Sequence, residues 1–207
     1  MTEVIGVILA GGLSRRMGGG DKGMLELGGK PLLVHVIQRL SPQVDNLILN
    51  ANGDPIRFSR FGLPVVADGI PGFAGPLAGV LAGLDYAARR GAKSIVTAAS
   101  DTPFFPHDLR AGLESAAGAQ GVELALAATP EAARGLVRHP TFGLWPVRLR
   151  GDLRAALVRG LRKVVSWTDR HDAATATFST DGGDPFFNVN TPGDMRRAEM
   201  LLARFAQ

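Results

Sequence analysis

The stretch Val4-Ile5-Gly6-Val7-Ile8-Leu9-Ala10-Gly11-Gly12 joins an uninterrupted apolar run to a pair of glycines. An apolar run of this length, rich in β-branched residues, predicts a strand buried on both faces of a parallel sheet. Glycine has no Cβ, so the paired glycines allow backbone N–H groups to approach a ligand closely. Arg15, Arg16 and Lys22 follow on the same glycine-rich segment. The stretch therefore predicts a strand followed by a loop that can surround a triphosphate.

Two familiar phosphate-binding motifs do not account for this loop. The P-loop pattern requires G-x-x-x-x-G-K-[ST], and neither Lys22 nor Lys30 satisfies it, which excludes Walker-type chemistry. The dinucleotide pattern G-x-G-x-x-G occurs at Gly18, Gly20 and Gly23. It begins well past the apolar run and precedes an extended pattern instead of a helix, so we interpret it as coincidental. This position counts against a nicotinamide-dependent dehydrogenase.

The composition predicts a single globular domain that spans residues 1–207. Of these residues 45% are hydrophobic and 20% are charged, and no apolar run reaches membrane-spanning length. The N-terminal residues lack the basic region and cleavage site of a signal peptide, so we expect a cytoplasmic protein with no membrane partner. The lack of cysteine excludes thiolate nucleophiles, zinc fingers and iron–sulfur clusters.

The charge pattern does not indicate a nucleic-acid partner. The formal net charge of +4 is a mild bias, and the arginines are spread along the chain. The densest basic segment runs from Arg148 to Lys163 and has almost no aromatic residues on which bases could stack. We interpret this segment as a solvated helical face, with docking of an acidic protein or an anionic small molecule as the alternative.

Strand and helix patterns alternate along the chain. Apolar runs predict strands at 4–10, 47–49, 64–67, 94–99, 122–128, 141–147 and 175–178. Helical patterns begin at Pro31, Pro76 and Pro106 and recur near 152–159 and 192–205. This order predicts an α/β fold, a Rossmann-like three-layer open sheet with mostly parallel strands. The segment 129–139 is expected to be a mobile loop over the site.

Polar residues follow the predicted strands at the point where each strand ends. Gly11 and Gly12 follow the first strand, Asn50 and Asn52 the second, Asp68 the third and Asp101 the fourth. In open α/β sheets the carboxyl ends of parallel strands form the ligand crevice, so we expect these residues to converge. An ordinary series of turn residues is the alternative.

Asp101 is the best candidate for a metal ligand. A carboxylate that faces a triphosphate is a hard oxygen donor of the kind that Mg²⁺ prefers. A second ligand is expected from the segment Asn188-Val189-Asn190-Thr191-Pro192. Asn190 is also placed to cap the helix that follows.

Several of these motifs occur together in an order that resembles a known family. The segment Leu9-Ala10-Gly11-Gly12-x-Ser14-Arg15-Arg16-Met17-Gly18, followed by Asp21-Lys22 and Gly29-Lys30-Pro31-Leu32, is similar to the signature of sugar- and cofactor-nucleotidyltransferases. Within that superfamily the chain resembles MobA-type molybdenum cofactor guanylyltransferases. Further matching motifs are Asn50-Ala51-Asn52, Asp68, Gly75-Pro76-Leu77-Ala78-Gly79, Asp101-Thr102-Pro103, His139-Pro140-Thr141 and Asn188-Val189-Asn190-Thr191-Pro192. The segments 111–138 and 151–180 match only loosely.

The resemblance implies a nucleotidyltransferase fold that transfers GMP from GTP to the terminal phosphate of molybdopterin, with release of pyrophosphate. It implies that the N-terminal half binds GTP and Mg²⁺ and that the C-terminal half binds molybdopterin. The GTP contacts it implies are Leu9, Ala10, Gly11, Gly12, Arg15, Lys22, Asn50, Asp68 and Asp101. The implied catalytic residues are Lys22, Asp101 and Arg16, and Asp101 would hold Mg²⁺ with Asn190 as a candidate second ligand. The residues expected to face molybdopterin are Asn188, Asn190 and His139.

The expected chemistry needs no protein nucleophile, because the pterin phosphate attacks the α-phosphorus directly. The choice of base rests on resemblance, since relatives that use CTP usually read Leu-Ala-Ala-Gly where this chain has Leu9-Ala10-Gly11-Gly12. The alternatives are a CTP-dependent molybdopterin cytidylyltransferase, another small-molecule nucleotidyltransferase and a non-catalytic GTP-binding carrier. We expect a monomer whose further partners are other molybdenum cofactor biosynthesis and acceptor proteins.

Overall fold

The computed structural model describes residues 3–11, 21–70 and 75–205. Over these residues the strands are β1 (Val4–Leu9), β2 (Glu26–Leu27), β3 (Lys30–Pro31), β4 (Asn46–Asn50), β5 (Val65–Val66), β6 (Ser94–Ala99), β7 (Ala125–Glu131), β8 (Gly135–Pro146) and β9 (Ala174–Thr177). The α-helices are α1 (Leu32–Leu40), α2 (Pro76–Arg89), α3 (Leu109–Ala119), α4 (Arg150–Val158), α5 (Val164–Thr168) and α6 (Pro192–Phe205). Most predicted elements therefore exist, with ends that differ by a few residues.

The main sheet has seven strands in the order β5-β4-β1-β6-β8-β7-β9. Parallel pairs join β1 to β4 and β6, β4 to β5, and β7 to β9. Within the described part of the chain, β8 alone runs against its neighbours β6 and β7. Because β8 is reversed, its first residues lie at the same edge of the sheet as the last residues of β1, β4 and β6.

Helices cover both faces of this sheet and form the three predicted layers. One core cluster joins α1 and α3 to the face of β1 that carries Val4 and Ile8. A second cluster joins α2, α4 and α5 to the opposite face, which carries Ile5 and Val7. All four of these β1 side chains are buried, which explains why the strand reads as an uninterrupted apolar run.

Helix α2 packs closely against β1 because it has a glycine at the contact. A Cβ on Gly83 would lie 2.7 Å from Cγ2 of Val7, closer than two carbon atoms can approach. The helix starts at Pro76, whose missing N–H costs nothing in the first turn. Its N-terminus is thereby held against the carboxyl end of the central strands.

The prediction of a mobile loop at 129–139 is wrong, because these residues form the outer part of a β-hairpin. Thr129 pairs with Val137 and Glu131 with Gly135. The outer pairs are polar or exposed and lack the alternating apolar pattern that marks a strand, so the sequence does not reveal them. The hairpin extends from the edge of the sheet where β1, β4 and β6 end.

The sequence does not reveal helix α5 or the pairing of β2 with β3, although β2 lies in the extended pattern after Gly23. Helix α5 has five residues, too few to establish a helical period. Strands β2 and β3 form a separate two-stranded hairpin whose turn residues, Gly28 and Gly29, have φ angles of 57° and 74°. In the part of the chain that the structure describes, none of the helices combines the length and the apolar character needed to cross a bilayer.

The basic segment is partly neutralised by ion pairs with neighbouring elements. Arg148 pairs with Glu123, and Arg154 pairs with Asp85 of α2. Arg162 donates instead to two backbone carbonyl groups, those of Leu157 and Leu161. Arg150 and Arg154 lie in α4, whereas Arg159, Arg162 and Lys163 follow its end, so the segment is only partly helical. Its interpretation as a solvated face stays a prediction.

Candidate active site

A pocket lies where the carboxyl ends of the central parallel strands meet. Its lining comprises Leu9, Ala10, Gly11, Lys22, Asn50, Asp68, Gly75, Pro76, Ala99, Ser100, Asp101, Thr141 and Asn188. The strand ends stay close because the backbone pairing continues past the strands, with Ala10 N donating to Asn50 O at 2.9 Å and Ser100 N to Leu9 O at 3.1 Å. The structure therefore brings together the polar residues that follow four strands.

Asn50 and Asp68 are joined directly at one side of the pocket. Asn50 is 3% exposed, and its Nδ2 donates to Asp68 Oδ1 at 2.9 Å and to the carbonyl of Val66 at 3.1 Å. The other carboxylate oxygen accepts from Asn52 Nδ2 at 2.7 Å, and Asp68 N donates to Asn52 Oδ1 at 2.9 Å. The carboxylate is thus held in one orientation by two amides. The sequence places Asn52 after the same strand as Asn50 but does not reveal its two hydrogen bonds to Asp68.

A glycine on α2 makes room for the Asn50 amide. A Cβ on Gly79 would lie 2.2 Å from Asn50 Oδ1 and 2.8 Å from Cδ2 of Leu9. Both distances are too short for any side chain, so the first turns of α2 reach the floor of the pocket only because residue 79 is glycine. The Asn50 amide is therefore fixed from both sides.

Lys22 lies between two of the predicted metal ligands. Its Nζ is 3.3 Å from Asp101 Oδ2, and it also donates to Asn190 Oδ1. The lysine belongs to a short 3-10 turn, Lys22–Met24, and Asp101 follows β6. The side chains of Lys22 and Asp101 are 23% and 20% exposed, so the pair is shielded yet open to a ligand. A carboxylate and an amide oxygen thus converge on one cation.

The donor set around Lys22 fits a hard divalent cation. Among the residues that the structure describes, no group of three or more histidine, aspartate or glutamate side chains could hold a metal. Asp101 and Asn190 nevertheless offer one carboxylate and one amide oxygen at the same point. Mg²⁺ is commonly held by one or two carboxylates together with waters and substrate phosphates, so two protein oxygens are sufficient.

The segment that contains Asn188 and Asn190 is fastened to the turn after β6. Val189 N donates to the carbonyl of Asp101 at 2.9 Å, and the buried Thr102 hydroxyl donates to Asn188 Oδ1. The C-terminal motif therefore reaches the pocket through Asp101 and Thr102. This contact joins residues 86 positions apart in the sequence.

The cap of α6 is formed by Thr191 and Asp194, which allows Asn190 to face Lys22. Asp194 N donates to Thr191 Oγ1 at 3.1 Å, and the carboxylate of Asp194 accepts from the backbone N–H groups of Asn190 and Thr191 at 3.0 and 2.8 Å. The hydrogen bond from Asn190, followed by that from the Thr191 hydroxyl, lowers the pKa of Asp194. The side chain of Asn190 therefore bonds to Lys22, and the capping role that the sequence also allows for it falls to its neighbours.

Thr141 enters the pocket from a bulge in β8. The pairing with β7 moves from Leu126–Gly143 to Ala127–His139, so residues 140–142 have no partner on β7. Bulges redirect side chains and occur frequently beside active sites. The sequence presents Thr141 only as part of a motif, and the bulge that directs it cannot be read from an apolar pattern.

His139 is not part of the pocket lining. Its ring stacks on Phe186 with 4.3 Å between centroids, and Nε2 lies 2.8 Å from the Thr129 hydroxyl. Burial lowers the pKa of His139, and the negative charge of Asp184 opposes this shift. The expectation that His139 faces molybdopterin stays a prediction.

Three predicted site residues lie outside the described residues: Gly12, Arg15 and Arg16. Their roles stay predictions. The described part of the chain adds Arg57, whose Nε donates to Asp21 Oδ2 at 2.6 Å. No sequence motif marks Arg57.

The amino-acid sequence was compared with those of known protein families. Residues 6–174 match the model of the family described as the MobA-like NTP transferase domain. The chain belongs to this family. The MobA-like chain is 55% identical over 205 residues to a protein of Bradyrhizobium sp. (strain ORS 278) named molybdenum cofactor guanylyltransferase, covering 98% of this chain and 94% of that protein. A protein of Cereibacter sphaeroides with the same name is 48% identical, with 99% and 100% covered.

Solved structures confirm the predicted fold class of the MobA-like chain. The molybdopterin-guanine dinucleotide biosynthesis protein A of Archaeoglobus fulgidus has a TM-score of 0.71 at 23% identity and covers 97% of this chain and 99% of its own. The 4-diphosphocytidyl-2C-methyl-D-erythritol synthase of Anaerococcus prevotii has a TM-score of 0.74 at 14% identity, with 98% and 96% covered. At these identities the likeness concerns the fold alone, and it spans the whole nucleotidyltransferase-like sheet.

Proposed function

We propose that this chain transfers GMP from GTP to the terminal phosphate of molybdopterin and releases pyrophosphate. The observation that carries the proposal is the joint placement of Lys22 and Asp101 in the strand-end pocket of a MobA-like chain. Relatives about half identical over nearly their whole length bear the name molybdenum cofactor guanylyltransferase, which supports the choice of donor and acceptor.

The nucleoside of GTP would occupy the side of the pocket formed by Asn50 and Asp68. The amide oxygen of Asn50 and the carboxylate of Asp68 can accept hydrogen bonds from a base or ribose. The Asn52 amide holds the carboxylate of Asp68 in place, so little ordering is needed when the nucleotide binds. The backbone of Leu9, Ala10 and Gly11 forms the adjoining floor.

Catalysis would then consist of positioning and charge stabilisation. An oxygen of the pterin phosphate forms a bond to the α-phosphorus while the bond from that phosphorus to its bridging oxygen breaks. Pyrophosphate leaves with the electron pair, and the Lys22 ammonium stabilises the negative charge that develops on it. Arg15 and Arg16 are proposed to contribute to the same charge.

Mg²⁺ belongs to this proposal, with Asp101 as its protein ligand and Asn190 as a second. When bound, the ion would neutralise phosphate oxygens and reduce the repulsion between the two anionic substrates. Lys22 holds the same two oxygens, so it must move towards the phosphates when the ion takes its place. Asn188 lies at the pocket lining beside this point and is proposed to face the acceptor phosphate.

The test is the release of pyrophosphate by purified protein with GTP or CTP, each with and without molybdopterin. The proposal expects release with GTP and molybdopterin together and little release with any other combination. Faster release with CTP would identify a cytidylyltransferase instead. Binding of GTP without release in the presence of molybdopterin would identify a non-catalytic carrier.

A further inference from the structure

Arg57 connects the segment that carries Lys22 to the segment that carries Asn52. It lies in the 3-10 helix Pro55–Phe61, and its side chain is 31% exposed. The guanidinium donates through Nε to Asp21 Oδ2 at 2.6 Å, through one Nη to the carbonyl of Asp54 at 2.7 Å, and through the other to the carbonyl of Asn52. All three nitrogens are therefore committed to specified acceptors.

The local structure keeps this guanidinium in place. Its central carbon lies 4.6 Å from the ring centroid of Phe58, which is 1% exposed, so a buried aromatic ring supports one face. Gly53 has a φ of 83°, and a Cβ there would lie 3.0 Å from an Arg57 Nη. The turn after β4 thus accommodates the guanidinium because it contains glycine.

The two ends of this connection are adjacent to the two halves of the pocket. Asp21 immediately precedes Lys22, which contacts Asp101 and Asn190. At the other end, Asn52 holds both the backbone N–H and the carboxylate of Asp68. Arg57 does not line the pocket, so any influence on the reaction must act through these neighbours.

We propose that Arg57 is a positioning residue that fixes the phosphate-side Lys22 relative to the nucleoside-side pair of Asn52 and Asp68. The inference rests on the proposed function, because that function places Lys22 and the pair of Asn52 and Asp68 around one bound nucleotide. An isolated surface ion pair contributes little to stability or function. Arg57 differs because its planar guanidinium bonds to three separate acceptors. The single ammonium nitrogen of a lysine cannot reproduce this geometry.

The experiment compares wild-type protein with Arg57→Met, Arg57→Lys, Asp21→Ala and the double variant Asp21→Ala/Arg57→Met. Equilibrium binding of GTP, steady-state release of pyrophosphate and melting temperature are measured for each. The matched control is Arg138→Met, since Arg138 forms an ion pair with Asp169 of the same 2.6 Å length and has the same 31% exposure.

Arg57→Met is expected to weaken GTP binding and to raise KM for GTP by about tenfold, with KM for molybdopterin changed less than about twofold. Arg57→Lys is expected to restore only part of this loss. The double variant is expected to match Arg57→Met alone, because both substitutions break one connection. Arg138→Met is expected to bind GTP as the wild type does.

Three results would overturn the inference, and they are distinguishable from one another. If wild-type protein releases pyrophosphate but Arg57→Met matches Arg138→Met in GTP binding and KM, Arg57 has no positioning role and the proposed function stands. The positioning role is equally excluded if the variants lose melting temperature without any change in KM for GTP. If the wild type itself neither binds nor turns over GTP, the proposed function and this inference both fail.

Discussion

The ammonium nitrogen of Lys22 lies 3.3 Å from Oδ2 of Asp101, although the two residues are 79 positions apart in the sequence. Asn190, a further 89 positions along, accepts from the same nitrogen. One cation therefore joins the 3-10 helix Lys22–Met24, the turn after β6 and the segment before α6 at a single point. A ligand that draws this cation away releases two oxygens simultaneously.

Lys22→Ala and Asp101→Ala should each lower the rate of GMP transfer by at least about a hundredfold, because each removes a charge aimed at the reacting phosphates. The fold should stay intact, since both side chains lie at the edge of the sheet and not in its core. Release of pyrophosphate and circular dichroism are the measurements. Lys93→Ala is the control, because Lys93 is exposed and immediately precedes β6, at the end of that strand opposite to Asp101. Near-normal transfer by either site variant would refute their assignment.

Lys22→Met should increase the affinity for Mn²⁺, used as a spectroscopic substitute for Mg²⁺, when no nucleotide is present. The Lys22 ammonium repels a divalent cation and holds the Asp101 and Asn190 oxygens, so its removal frees both. Electron paramagnetic resonance titration of free Mn²⁺ measures the change, and Lys93→Met serves as the control. Equal Mn²⁺ affinity in Lys22→Met and wild type would show that these oxygens do not form a metal site.

Gly79→Ala should displace the Asn50 amide, because the new methyl group would lie 2.2 Å from its Oδ1. We expect a loss of about 1–3 kcal/mol in the free energy of unfolding from overpacking, together with weaker GTP binding. Gly118→Ala is a matched control on α3, where a Cβ meets nothing within 4 Å. That control should gain up to about 1 kcal/mol, since alanine favours a helix over glycine. Denaturant unfolding and GTP titration distinguish the two variants, and equal GTP binding would contradict the role of Asn50.

His139 should make stability fall as the pH is lowered through the mildly acidic range. Its pKa is lowered by burial, so the unfolded chain, with a histidine pKa of about 6.5, takes up the proton first. The associated stability is present above that value and is lost as the pH falls through the lower pKa of the folded state. Urea unfolding of wild type and His139→Gln between pH 7.5 and 5 measures it, with the difference between the two proteins isolating this histidine. Parallel pH profiles would contradict the prediction.

The central sheet is predictable from the sequence because its strands are buried on both faces. The strand at 94–99 is found with the predicted ends, as Ser94–Ala99, since its apolar run stops where the polar turn begins. The outer part of the hairpin formed by β7 and β8 is not predictable in this way, because most of its side chains are polar or exposed. Burial there is partial and includes polar side chains such as Thr129, so it leaves no alternating apolar pattern.

The candidate site is predictable as a set of residues but not as a set of bonds. Asp68 and Asp101 follow strands, and parallel strands end at one edge, so their convergence follows from topology. The contacts of Arg57 do not, because they depend on the direction of the 3-10 helix Pro55–Phe61 and on a turn at Gly53. The bulge that directs Thr141 also cannot be predicted from the sequence, because it arises from a shift in the pairing of β7 with β8.

The reversed strand β8 consists of two parts that pair with different neighbours. Its inner part, from Gly143 to Pro146, is paired with β6, whereas its outer part is paired with β7 alone. The residues 140–142, which have no partner on β7, lie between the two parts and can absorb a change of register. Insertions or deletions at 132–134 would therefore lengthen or shorten the hairpin without shifting Trp145 in the core. A graft at this hairpin tip offers a way to attach a new segment to the molecule while the strands that precede Asn50 and Asp101 keep their geometry.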